Sequence, residues 1–154
     1  MGTPCYKPAD SYLLLVQVTA SVLVQLLGKC RDAYSLMVLE KTFGKHQDTK
    51  LRLSVIESLT NFGALAGDPL IGELDDRDKQ LSVRLACLEA LGNSGYRPSV
   101  PVLSGLLDDA ALGVKARSAL RKITDADLGQ NTIAWQQWWE RQLSPARREV
   151  HSRP

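Results

Sequence analysis

Between residues 81 and 109, apolar side chains recur at helical spacing in two bursts. The first holds Val83, Leu85, Cys87, Leu88 and Leu91, and the second holds Val100, Val102, Leu103, Leu106 and Leu107. This i, i+3, i+4 pattern predicts two amphipathic helices, with Gly92-Asn93-Ser94-Gly95 as the turn between them. A hairpin this short cannot bury its apolar faces alone and needs similar neighbours. The same polarity pattern supplies them, predicting helices over 12–27, 33–43, 49–62, 68–74, 112–123 and 131–142. Asp10-Ser11 offers a cap for the first of these.

Sliding the chain against itself by 32 positions aligns three units without a gap. Leu23, Val55 and Cys87 coincide, as do Leu27, Leu59 and Leu91 in the first helices, and Leu39, Ile71 and Leu103 in the second. Polar columns follow the same rule: Gln25, Glu57 and Glu89 coincide, and so do Lys29, Asn61 and Asn93. A fourth unit fits with a shift of 29, because the loop before it is three residues shorter. The expected fold is therefore all-α, an α-solenoid of about four helical hairpins closed by a Trp-rich capping helix. Residues 1–9 read as a flexible lead-in, 10–143 as the solenoid, and 144–154 as a basic disordered tail. Ser54, Ser58, Ala86 and Ala90 are small residues at i and i+4, which lets neighbouring first helices approach closely. Arg52 and Arg84 occupy equivalent positions after acidic loops, where either an Asp-to-Arg ladder between repeats or plain solvent satisfies them.

The segments VRLACLEALG (83–92) and GLLDD (105–109), with the apolar pairs of the second helices, resemble HEAT repeats. The likeness is to the short bacterial form also seen in phycobilisome-lyase-type repeat proteins. The ending VKARSALRKITDADLG…IAWQQWW (114–139) is similar to a common bacterial terminus, with Asp125 where that pattern usually has Gly. The resemblance implies a scaffold or adaptor that binds a protein or peptide, in some cases as a regulatory part of a larger assembly. It also covers DNA-repair-type nucleic-acid modules and accessory subunits of prosthetic-group lyases. Fold-level likeness of this kind specifies architecture better than function.

Composition narrows the choice. The chain has 154 residues with a net charge of +2 and only nine aromatic residues, which suits one helical domain. Residues 140–154 hold four Arg against two Glu, leaving the rest of the chain neutral, so no basic stripe for phosphates is legible and nucleic acid is disfavoured. Cys5, Cys30 and Cys87 form neither a disulfide framework nor a metal pair, which points to a reducing, cytoplasmic setting. No signal peptide is recognisable, and residues 12–27 are too few and too polar to span a bilayer. His46 and His151 lack partners at ligand spacing, no nucleophile elbow or phosphate loop appears, and Asp125 and Asp127 read as helix caps. The chain is expected to be no enzyme and to hold no cofactor or metal.

Three sets of residues remain as partner-binding candidates. Exposed positions on the inner, concave layer are expected to include Tyr34, Glu40, Lys41, Asp68, Glu73, Arg97, Ser104 and Asp108. Trp135, Trp138 and Trp139 share a helical face, either as a cap on the last hairpin or as a platform for bases or a ligand. Val18, Val22 and Leu26 form an i, i+4, i+8 apolar stripe where later units carry Lys50, Ser54, Ser58 and Ser82, Ala86, Ala90. A terminal face this apolar calls for a cover: a second copy, another domain of a longer parent, a partner, or residues 13–16 folding back.

Overall fold

The computed structural model describes the backbone of residues 8–45, 48–76 and 79–151, and side chains over 18–43, 48–76 and 79–143. Eight α-helices follow one another, with no strand among the described residues: α1 (Pro8–Cys30), α2 (Ala33–Lys45), α3 (Thr49–Thr60), α4 (Gly67–Asp75), α5 (Leu81–Ser94), α6 (Val100–Gly105), α7 (Gly113–Thr124) and α8 (Thr132–His151). Short 3-10 turns at Gly63–Ala66 and Arg97–Ser99 introduce α4 and α6. The first helices of the four hairpins form one layer, α1 on α3 on α5 on α7. Each second helix packs on the first helix of the next unit, α2 on α3, α4 on α5 and α6 on α7, and α6 also receives α8. The result is an all-α solenoid of four hairpins.

The predicted columns form the core. Val55 and Cys87 are fully buried, as are Leu59, Leu91 and their counterpart Leu120, and Leu70, Leu74, Leu103 and Leu112. Leu27 and Ile71 are only partly buried, and Leu23, aligned with Val55 and Cys87, is 61% exposed. The reason lies in the packing order. Val55 and Cys87 lie on helices that the second helix of a preceding unit packs against, and among the described residues no such helix packs on α1.

Side chains of the acidic loops hold the helix starts. Asp48 accepts from the Leu51 backbone N–H at 2.8 Å, Asp32 accepts from the backbone N–H and hydroxyl of Ser35, and Asn131 accepts from the Ala134 N–H. Asp127, expected as a cap, instead accepts from Arg117 and from the Gly129 N–H. These two contacts, the Gly129 N–H first, hold its carboxyl below the ordinary carboxylate range.

Several predicted boundaries move. Over the described residues the first helix spans Pro8–Cys30. It runs through Gly28 and ends with Arg31 in the left-handed region (φ 53°). At the other terminus α8 continues to His151, so residues 144–151 are helical backbone where a disordered tail is expected. Extending a helix already nucleated costs less than starting one, and Ala146, Arg147 and Arg148 are good helix formers.

Gly28 and Gly92 read as turn residues in the sequence, but both sit inside helices. A Cβ on Gly28 would lie 2.8 Å from that of Ser58, and one on Gly92 would lie 3.0 Å from the Ala119 Cα. These glycines let first-layer helices touch backbone to backbone. The α5 turn is made by Gly95 alone, at φ 66°.

The junctions between units also differ from a simple Asp-to-Arg ladder. Arg84 Nε donates to the Leu74 carbonyl at 3.0 Å, at the C-terminal end of α4. Arg52 Nη2 donates to the Phe43 carbonyl near the end of α2 at 3.4 Å, with its guanidinium 5.6 Å from the Phe43 ring centroid. Each arginine thus serves the negative end of the preceding helix. The fourth unit has no arginine there; the equivalent residue is Gly113. A Cβ on Gly113 would fall 2.3 Å from the Leu107 carbonyl oxygen, so the backbone itself stands at the place an arginine would reach.

Two outcomes follow. Gly113→Ala forces a backbone clash and should cost about 2–3 kcal/mol in urea-unfolding stability. Asp125 ends α7 at φ 55° with its N–H on the Arg121 carbonyl, so Asp125→Gly should relieve left-handed strain and gain about 1 kcal/mol in the same measurement.

Candidate interaction site

The second-helix layer presents fewer of the candidate residues than its sequence implies. Tyr34 and Lys41 on α2, and Arg97 in the turn before α6, are exposed. Glu73 is not an open surface residue. Its side chain is only 12% exposed, its Oε1 accepts from Arg52 Nη2 at 3.0 Å, and its Oε2 lies 2.9 Å from the same nitrogen without hydrogen-bond alignment. Lys79 Nζ approaches it at 4.0 Å. A buried guanidinium selects a buried carboxylate, which is why Glu73 is spent inside the second hairpin. Ser104 is likewise buried, with its hydroxyl on the Pro101 carbonyl. Asp68 accepts a hydrogen bond from the Tyr96 hydroxyl, whose ring occupies the space a Gly67 side chain would need. That bond raises the phenol above its ordinary range.

The three tryptophans act as one end of the core. Trp135 is fully buried, donates through Nε1 to the Gly129 carbonyl at 3.1 Å, and meets Trp138 edge-on with centroids 6.4 Å apart. Trp138 and Trp139 are half-buried against the same core. This is a capping arrangement. Trp135 has no face left for a base or a partner, which corrects its place among the partner-binding candidates.

The α1 stripe is open. Val18, Val22 and Leu26 are each about half exposed, and Leu23 lies beside them. Column by column the contrast is sharp for two of the four. Leu26 is 53% exposed while Ser58, Ala90 and Ala119 are 2–3% exposed, because each of those lies on a first helix covered by the one before it. Leu23 stands against buried Val55, Cys87 and Ala116 in the same way. Val18 belongs to a column exposed throughout, with Lys50 and Ser82 as counterparts. The structure therefore brings together the residues that would receive both helices of a preceding hairpin. Residues 13–16 lie in α1 itself, so they do not fold back over the stripe.

Neither titratable nor nucleophilic groups converge on a reaction centre in the described residues. No group of three His, Cys, Asp or Glu there is arranged to hold a metal ion. His46 lies outside the described residues, and the side chain of His151 does too. No described helix is long and apolar enough to cross a membrane. Cys87 is fully enclosed, and burial, reinforced by the Glu73 charge, pushes its thiol up to about 12.

Four stacked hairpins with matched columns and a Trp-bearing terminal helix define an α-solenoid of HEAT-like units. A family model described as PBS lyase HEAT-like repeat matches residues 83–109, the α5–α6 hairpin. The match supports a HEAT-repeat family, with which a scaffold role in protein–protein interaction is consistent. A search of the curated proteins returned no match to the chain.

Thiol chemistry checks the core independently. Iodoacetamide at about pH 8 should alkylate exposed Cys30 in the folded protein and reach Cys87 only on unfolding, read by peptide mass spectrometry.

Proposed function

We propose that the chain is a non-enzymatic scaffold whose first-helix face docks a helical segment of a protein partner. The observation that supports this reading is the exposed set Leu23 and Leu26, in columns that are buried in every later unit by the preceding hairpin. Val22 widens the set, and Val18 extends it toward the start of α1. The partner takes the place of a missing hairpin, laying apolar side chains over a stretch in which residues 11–28 carry no charge. Leu26 stands where later units have Ser58, Ala90 and Ala119, and its larger side chain sets that helix farther away than the solenoid's own spacing. A second copy, a further domain of a longer parent and a separate protein all meet this description.

The second-helix layer supports the reading less well. Tyr34, Lys41 and Arg97 remain accessible there beside exposed Glu40 and Asp108, a mixed-charge set that suits a peptide better than phosphate.

The test uses the wild-type chain and Val22→Glu. The wild type should bind an apolar fluorescent dye or self-associate at high concentration, measured by fluorescence and sedimentation. Val22→Glu should lose both while changing stability by less than about 0.5 kcal/mol, since Val22 supports no core contact of its own unit. A wild-type chain that stays strictly monomeric and binds no dye would rule the docking face out.

A further inference from the structure

The first-layer helices leave equivalent grooves between them, and two of these grooves differ in one respect. Between α5 and α7 the free space is only about 50 Å³. Lysines of α7 fill it: Lys122 Nζ donates to Asn93 Oδ1 at 2.8 Å, and Lys115 Nζ lies 3.9 Å from Glu89 Oε2. The groove between α3 and α5 is the same groove one unit earlier. Glu57 stands there where Glu89 stands in the later one, and Ala86 and Asn93 stand where Lys115 and Lys122 do. Its free space is about 250 Å³.

The chemistry of the open groove is that of a cation pocket. Its floor is apolar, made by Leu53, Ile56 and Ala90, and Glu57 and Glu89 line it from α3 and α5. Among the described residues Glu57 makes no ion pair, and neither α3 nor α5 carries a basic residue in its last turn, where a helix favours positive charge. The later groove supplies the template. There the chain's own lysine stems and ammonium groups occupy the space that is left open here.

We propose that the α3/α5 groove receives a Lys or Arg side chain from an extended partner peptide. The aliphatic stem lies along Leu53, Ile56 and Ala90, and the charged head sits between Glu57 and Glu89. This surface lies between α3 and α5, away from the apolar face of α1, and does not depend on that face docking a partner.

The experiment is an amide-resolved NMR titration of the full chain with acetyl-Ala-Ala-Arg-Ala-Ala-amide at millimolar concentration. Saturable shifts are expected at Glu57, Thr60, Glu89 and Asn93, and the same peptide with citrulline in place of arginine should produce none. Two variants should abolish them for different reasons: Glu57→Gln with Glu89→Gln removes the charge, and Ala86→Lys with Asn93→Lys fills the groove as α7 fills its own. Circular dichroism should show both variants as helical as the wild type, since every substituted side chain is exposed or half-exposed. Absence of shifts in the wild type, or shifts that persist in either folded variant, would overturn the proposal.

Discussion

Neighbouring first-layer helices sit so close that a single methyl group decides whether they fit. Gly28 against Ser58 and Gly92 against Ala119 are the points where this is most severe, and Thr60 and Ala90 line the same groove at the middle junction. Close backbones leave no room for long side chains on the contact line, so Ser58, Ala90 and Ala119 occupy it in units two to four. Polar residues are then confined to the rims, which is why the Gln25, Glu57, Glu89 and the Lys29, Asn61, Asn93 columns run along the edges of shallow grooves. On α1, the first of the described helices, Leu26 stands on that line.

The second constraint is the carbonyl end of each second helix, which must be satisfied as the chain crosses to the next unit. At the first two junctions Arg52 and Arg84 reach across to the Phe43 and Leu74 carbonyls. At the third, Gly113 lies against the Leu107 carbonyl with no room for a side chain, and its own N–H donates to the Asp109 carbonyl. The buried Arg52 brings a further demand, since its charge needs a counter-charge, and Glu73 supplies it from within the same hairpin.

Much of this was readable from the residues alone. Apolar periodicity gave the helices, and the gapless repeat gave the order in which they stack, because both depend on local spacing. The ends of helices were harder. Gly28 and Gly92 look like turn residues in a string of letters, and their true role depends on a backbone thirty or so positions away. Glu73 looked like surface because charge usually is, and nothing in its neighbourhood in the chain announces Arg52. Leu23 shows the converse case: the column assigns it to the core, and it is exposed because no described helix covers it as α2 and α4 cover its counterparts. Of the candidate site, the α1 stripe was legible as a break in the pattern, whereas the α3/α5 groove required two faces to be seen together.

The direct meeting of Leu107 and Gly113 bears on how the molecule comes apart. A solenoid's stability is a sum over nearest-neighbour couplings, so the weakest junction sets where fraying begins. The couplings at the front combine a close approach of Gly28 to Ser58 with side-chain contacts from buried Arg52 and from Arg84. The coupling between α6 and α7 is made by two stretches of main chain in contact and closed by a buried Trp135, with no side-chain reach to relax. The junction of α6 with α7 is therefore the one whose geometry leaves the least room for side-chain adjustment.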